Sequence, residues 1–212
     1  MKKLLLITLS LTVATIYLFA EKMESKHPAE GKALFDKNCL ACHQAGAQGK
    51  VGFAPAIGNP DFLALASDDY IKNSVKKGRP GTAMVPRPDL KDEELQNIIV
   101  YLRSLPVALP KTVKVDWDVK FSGSKSNGEQ LFAEYCAGCH GPTGEGYSKG
   151  GAGTGIGLKG FLETASDDYI LQTLKTGRAG TPMRIFIGAK GLANLSEQEA
   201  KDIIAFLRSL AD

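Results

Sequence analysis

The stretch CLACH at residues 39–43 returns as CAGCH at 136–140, and each sits inside a longer repeat. GKALFDKNCLACH (31–43) aligns with GEQLFAEYCAGCH (128–140) at an offset of 97. ASDDYI recurs at 66–71 and 165–170, and GRPGTAM (78–84) recurs as GRAGTPM (177–183), both at an offset of 99. LQNIIVYLRSL (95–105) aligns with AKDIIAFLRSL (200–210) at 105. The order of landmarks is kept while insertions fall between them, so the chain is a duplicated domain. Each copy runs to about 75–85 residues, and two copies are too few for a solenoid; they read as two beads on a string.

A domain of that size buries little apolar surface of its own and normally needs a staple. The pentads supply one. In a helical turn Cys39, Cys42 and His43 share a face, as do Cys136, Cys139 and His140, because positions i, i+3 and i+4 do. Two thiols and an imidazole on one face are the spacing for covalent haem attachment, with thioethers to the porphyrin and the histidine over the iron. Three rival uses of the cysteines stay open at this level. Disulfides within each Cys-x-x-Cys suit an exported chain but leave both histidines unexplained. One zinc shared by the two pairs would require the repeats to face a single ion. A thioredoxin-like redox pair expects alternating strands and helices, which the pattern lacks.

A haem iron held by one histidine has an open sixth position. Only four methionines exist: Met1, Met23, Met84 and Met183. Met84 follows Cys39 by 45 residues and Met183 follows Cys136 by 47, each closing the same seven-residue frame. Methionine as core filler is readily exchanged, so its recurrence in a frame points to sulfur ligation, with core packing as the plainer reading. His/Met ligation raises the reduction potential. Of the three histidines two are proximal, and His27 lies in the charged stretch after the leader.

With these motifs in hand, the sequence resembles a two-haem class I cytochrome c of the bacterial periplasmic type. The resemblance covers about residues 31–105 and 126–212. It implies an all-α chain of two tandem domains, each a small helical fold around a covalently bound haem c, with first and last helices crossing at Gly31 and Gly128. It also implies a loop carbonyl on the proximal histidine. Pro55 fits that role in the first copy, whereas Thr154 stands at the aligned place in the second and puts the contact in doubt. Arg79 and Arg178, which recur in the methionine frame, are candidates to pair with haem propionates, since guanidinium matches carboxylate geometry.

The middle helices should start at Ser67 and Ser166 as N-caps and stop at Gly78 and Gly177. Ser196 and Glu199 make a capping box for the last helix of copy two, where copy one has Lys91, a poor cap. The stretches between pentad and middle helix are rich in Gly, Pro and Ala and read as loops. The linker, 106–125, alternates Val113, Val115, Trp117, Val119 and Phe121 with Lys114, Asp116, Asp118 and Lys120. That is a strand pattern with one apolar face, either lying on its own domains or offered to a partner.

At the N-terminus Lys2 and Lys3 precede seventeen uncharged residues, 4–20, which form a signal peptide or a signal anchor, with 21–30 as a stalk. As a helix they would span about 25 Å, a little short of the ~30 Å hydrocarbon core. The rest of the chain is expected to be exported, periplasmic, and membrane-bound only if the leader is retained. Net charge is +3 without a basic face: residues 31–105 carry 10 basic and 8 acidic side chains, and residues 126–212 carry 8 and 10. Nucleic acid is therefore not an expected partner.

The expected function is electron carriage rather than catalysis. A free shuttle between redox proteins such as a quinol-oxidising complex, a terminal oxidase or a dehydrogenase is the first reading. A subunit of such a membrane complex is the second. A haem enzyme, peroxidase or thiosulfate-oxidising, ranks behind both, because each copy offers a sixth ligand and no cysteine is spare.

Overall fold

The computed structural model describes residues 28–110 and 113–211. The leader and most of the expected stalk, with His27, lie outside them. No helix among the described residues is long and apolar enough to cross a membrane.

Each copy is helical. The first has α1 (Pro28–Asn38), α2 (Leu40–His43), α3 (Pro60–Leu65), α4 (Asp68–Lys77) and α5 (Asp92–Arg103). The second repeats the order as α6 (Lys125–Tyr135), α7 (Ala137–His140), α8 (Lys159–Leu162), α9 (Asp167–Thr176) and α10 (Glu197–Arg208). Ser67 and Ser166 accept from the amides of Tyr70 and Tyr169, as the N-cap reading requires. Ser196 and Glu199 close a full capping box. At Lys91 only half of it forms: Glu94 accepts from the Lys91 amide at 2.8 Å, and an ammonium has no lone pair to return.

Two short helices stand where the Gly- and Pro-rich stretches read as loops. For α3 the signal was local: Asn59 accepts from the amides of Asp61 and Phe62, and Pro60 takes the first helical position. Asn-Pro-Asp is thus a helix start inside a loop-like composition.

The first and last helices of each copy cross at a glycine. A Cβ on Gly31 would overlap the Asn97 carbonyl, and one on Gly128 would overlap that of Asp202. Beside these crossings Phe35 packs on Tyr101 and Phe132 on Phe206, with ring centroids 5.3 Å apart in both. Gly128→Ala should therefore destabilise domain two by about 1–3 kcal/mol through overpacking against backbone that cannot yield. Thermal unfolding followed in the second domain checks this, and an unchanged midpoint would show that the helices can part.

The closing Leu-Arg-Ser-Leu motif has a role that periodicity did not reveal. Arg103 and Arg208 reach back over the short helix of their own copy. Arg103 donates to the carbonyls of Leu63 and Ala66 and to Asp68; Arg208 donates to those of Leu162 and Ala165 and to Asp167. One guanidinium thus ties the C-terminal end of α3 or α8, the start of α4 or α9, and the last helix together.

The two copies are not separate beads. One apolar cluster runs from Leu65, Tyr70, Ile71 and Ile99 of the first into Tyr169, Leu174 and Ile204 of the second. The contact is self-complementary about an approximate two-fold axis. Asp61 accepts from the Ala179 amide at 2.6 Å, and at the equivalent pair Gly160 packs against Pro80. Asn59 donates to the Ala179 carbonyl at 2.8 Å, and Arg79 to that of Gly160 at 3.0 Å. Tyr70 meets its own equivalent, Tyr169, with centroids 4.7 Å apart.

The linker alternates as read, with Val113, Val115, Trp117 and Phe121 turned onto the apolar cluster and Lys114, Asp116, Asp118 and Lys120 exposed. It is not a strand, however. The described residues hold no β-strand, only two isolated bridges elsewhere. Side-chain carboxylates take the place of a pairing strand: the amides of Asp116 and Phe121 donate to Asp168 and Asp167 at 2.8 and 2.7 Å.

Candidate haem sites

Each pentad is one tight helical turn at the end of the first helix. The His43 amide donates to the Cys39 carbonyl at 2.8 Å and that of His140 to Cys136 at 2.9 Å, so thiols and imidazole come from the same turn. All four cysteines are unbonded. Among the described residues no group of three or more His, Cys, Asp or Glu side chains converges closely enough to hold a metal ion by itself. A shared zinc would need such convergence. Burial pushes the Cys39 thiol up to about 11, against the opposing charge of Arg87, and the Cys136 thiol up to about 12. Protonated thiols in apolar surroundings suit an apolar macrocycle.

The histidines are oriented alike. Nδ1 of His43 lies 3.0 Å from the Pro55 carbonyl, and Nδ1 of His140 lies 2.7 Å from that of Thr154. A carbonyl only accepts, so Nδ1 carries the proton and Nε2 keeps its lone pair for a metal. Burial lowers both imidazole pKa values, and the carbonyl bonds oppose the shift without cancelling it. Both rings are therefore held neutral, as ligation requires. The doubt over Thr154 is removed here. The contact uses the main-chain carbonyl, which every residue has, so losing proline costs nothing at this bond. Gly153 also lacks the Cβ that would strike the His140 ring.

Four of the five fixed members of the frame G-R-x-G-T-x-M have a visible part in closing or filling the loop. Gly78 and Gly177 sit at φ 64° and 67°, and a Cβ there would meet the backbone beyond the methionine. The Arg79 amide donates to the Met84 carbonyl at 2.7 Å, as Arg178 does to Met183. Thr82 donates its hydroxyl to the Arg79 carbonyl at 2.7 Å and accepts from the Met84 amide at 3.1 Å; Thr181 repeats this at 2.8 and 3.2 Å. The threonines were unassigned by sequence reasoning, although their recurrence was the signal. The result is a closed loop that presents a half-buried methionine in each copy. In copy one Arg87 then binds Asn38 at 3.0 Å, which fastens the segment after Met84 beside the pentad. The aligned Phe186 and Tyr135 of copy two belong to the apolar cluster instead.

The arginines of the frame are largely committed within the protein. Arg79 donates to Gly78, Gly160, Tyr70 and Ser74, which leaves only its Nε hydrogen. Arg178 donates to Gly177, Tyr169 and Thr173, which leaves two hydrogens.

Two family descriptions match this chain in tandem. Residues 26–102 match "Cytochrome C oxidase, cbb3-type, subunit III" and residues 126–211 match "Cytochrome c". The chain belongs to the cytochromes c, with two such domains in tandem. It therefore carries two covalently bound haem c groups, and the chemistry they supply is one-electron exchange at iron. Its relatives include the Cbb3-type cytochrome c oxidase subunit FixP of Bradyrhizobium diazoefficiens, 31% identical over 72% of this chain and 52% of that protein. FixP of Bradyrhizobium sp. is 32% identical over the same shares. Subunit CcoP of Rhodobacter capsulatus is 30% identical over 85% of this chain and 61% of that protein. The chain thus spans about half the length of the FixP subunits it matches. A chain of the Kuenenia stuttgartiensis reducing HAO-like protein complex Kustc0457/Kustc0458 shares the fold, with a TM-score of 0.50 and 20% identity over 86% of this chain and 96% of that one.

Proposed function

We propose that this cytochrome c is the electron-transferring subunit of a membrane-bound terminal oxidase, on the exported side of the membrane. The free shuttle, first in the sequence reading, ranks second, because the relatives are named as oxidase subunits. The observation that carries the carrier reading is the pairing, in both copies, of a pentad with a self-closed methionine loop. In this reading Cys39 with Cys42, and Cys136 with Cys139, hold the two haems. His43 and Met84 ligate one iron, and His140 and Met183 the other. With both axial positions taken by protein, an iron has no place for a substrate, which favours a carrier over a peroxidase. Arg79 and Arg178 assist the haem carboxylates only with the hydrogens they have left.

Two experiments test this. In membranes from cells that make the whole chain, its haems should be reoxidised on addition of oxygen, and the chain should be recovered with an oxidase. Recovery alone from the soluble fraction, with oxidation that needs no membrane, would restore the shuttle. Met84→His and Met183→His should each lower the potential of one haem by on the order of 0.1 V, within the ~0.8 V range that axial ligands command. An optical redox titration reads both. If either substitution leaves both midpoints in place, that methionine is core packing.

A further inference from the structure

Trp117, from the linker, sits where the two haem domains meet. Its ring centroid lies 5.3 Å from that of Tyr70 in the first domain and 5.5 Å from that of Tyr169 in the second. It covers the pair of tyrosines that face each other across the approximate two-fold axis. The residue is held rigidly from behind. Asp116 accepts from the amides of Asp118 and Val119 at 3.0 and 3.2 Å, so Trp117 stands within a tight turn. That turn is mounted on the second domain through the Asp116 amide and Asp168, with Phe121 and Asp167 fastening the next residues. In the first domain the matching Asp69 is exposed, so the mounting exists on one side only.

We propose that Trp117 is a positioning residue for electron transfer between the two haems: it locks the domains in the one relative orientation at which transfer is fast. This rests on the carrier reading above. Besides the tryptophan, the seam holds the tyrosine pair, three polar bonds and the apolar residues Leu65, Ile71 and Leu174 of the shared cluster. Contacts of that kind between domains of one chain resemble transient interfaces and permit relative motion. The contact is also pseudo-symmetric, with Tyr70 set against its own equivalent Tyr169. Trp117 breaks that equivalence. A flat ring fixed to one domain bridges both tyrosines, and aromatic contacts of this kind stabilise beyond their buried area. That is enough to shift a two-orientation equilibrium several-fold.

The test uses the full-length holoprotein with Trp117→Ala and the ring-retaining Trp117→Phe. One haem is reduced by a pulse, and the approach to equilibrium with the other is followed at several viscosities. Small-angle scattering measures the spread of the domains. Both variants should keep two haem spectra and two unchanged midpoints, since the ring contacts of Trp117 are to Tyr70 and Tyr169, neither of which is a proposed ligand. The wild type should transfer at a rate independent of viscosity. Trp117→Ala should be slower by several-fold and become viscosity-dependent, because a step that needs one geometry then waits for it. Its scattering radius should rise, and Trp117→Phe should recover most of the rate. A wild-type rate retained in Trp117→Ala overturns the positioning role, whatever the scattering shows. Absence of any interdomain transfer in the wild type would overturn the carrier reading and the proposal together.

Discussion

Replacing Cys136 and Cys139 by serine is expected to leave a chain with one covalent haem and an unfolded second domain. The second copy brings its first and last helices together at Gly128, with Phe132 against Phe206. The chain from the pentad to α9 contains only short helical turns besides loops. Such a segment buries few side chains in the protein core, Leu162 and Ala165 among them, and a domain of this size without its staple is marginal at best. Haem bound only through His140 can leave, and whatever binds the native state alone ceases to stabilise it once lost. Denaturing electrophoresis with haem staining, and the mass of the chain after acid-acetone extraction, should show a single porphyrin. The haem absorbance should fall by about half. Cys39 and Cys42 replaced together should give the reciprocal result, with the second haem kept. Two porphyrins surviving either pair of substitutions would refute covalent attachment at these sites.

Arg208→Met is expected to cost about 3–5 kcal/mol of second-domain stability, the range for breaking a buried ion pair by removing one partner. The Asp167 side chain is 2% exposed, and Arg208 meets it at 2.6 Å. Among the described residues, the only other donor to that carboxylate is the Phe121 amide. The substitution would also release the carbonyls of Leu162 and Ala165. Arg103→Met removes the same clasp from the first domain, but its partner Asp68 is 44% exposed and water can replace the guanidinium. The loss there should be nearer 1–2 kcal/mol, as for hydrogen bonds that solvent can partly restore. Denaturant unfolding of the holoprotein, followed at the two haem bands, measures both. Equal losses would mean that the clasped carbonyls, and not the carboxylate, set the cost.

The pentads, the methionine frames and the glycines at the helix crossings were legible because their requirements are local. A thiol pair and an imidazole on one turn need only helical spacing. A loop closed by its own threonine needs only seven residues, and a glycine at a crossing is marked by its recurrence in register. The capping serines at 67, 166 and 196 were readable for the same reason, since an N-cap is satisfied within one turn. Where sequence reading failed, the partner was distant in the chain. Arg208 meets residues more than forty positions away, and helical periodicity carries no mark of such partners. The alternation in 113–121 was seen, yet its amides found carboxylates of the second domain instead of a strand. Thr154 looked like the loss of a contact because proline had been taken as its carrier, whereas the carbonyl is common to both.

The sequence alone thus determined the haem chemistry, the helical class and the duplication, because spacing and repetition encode them within single turns and loops. Only the tertiary structure decided that the two copies meet face to face, Tyr70 on Tyr169, under Trp117. Contact between two surfaces depends on their shapes and on which face each presents. A self-complementary seam leaves no periodic mark, since its residues are drawn from separate helices and loops.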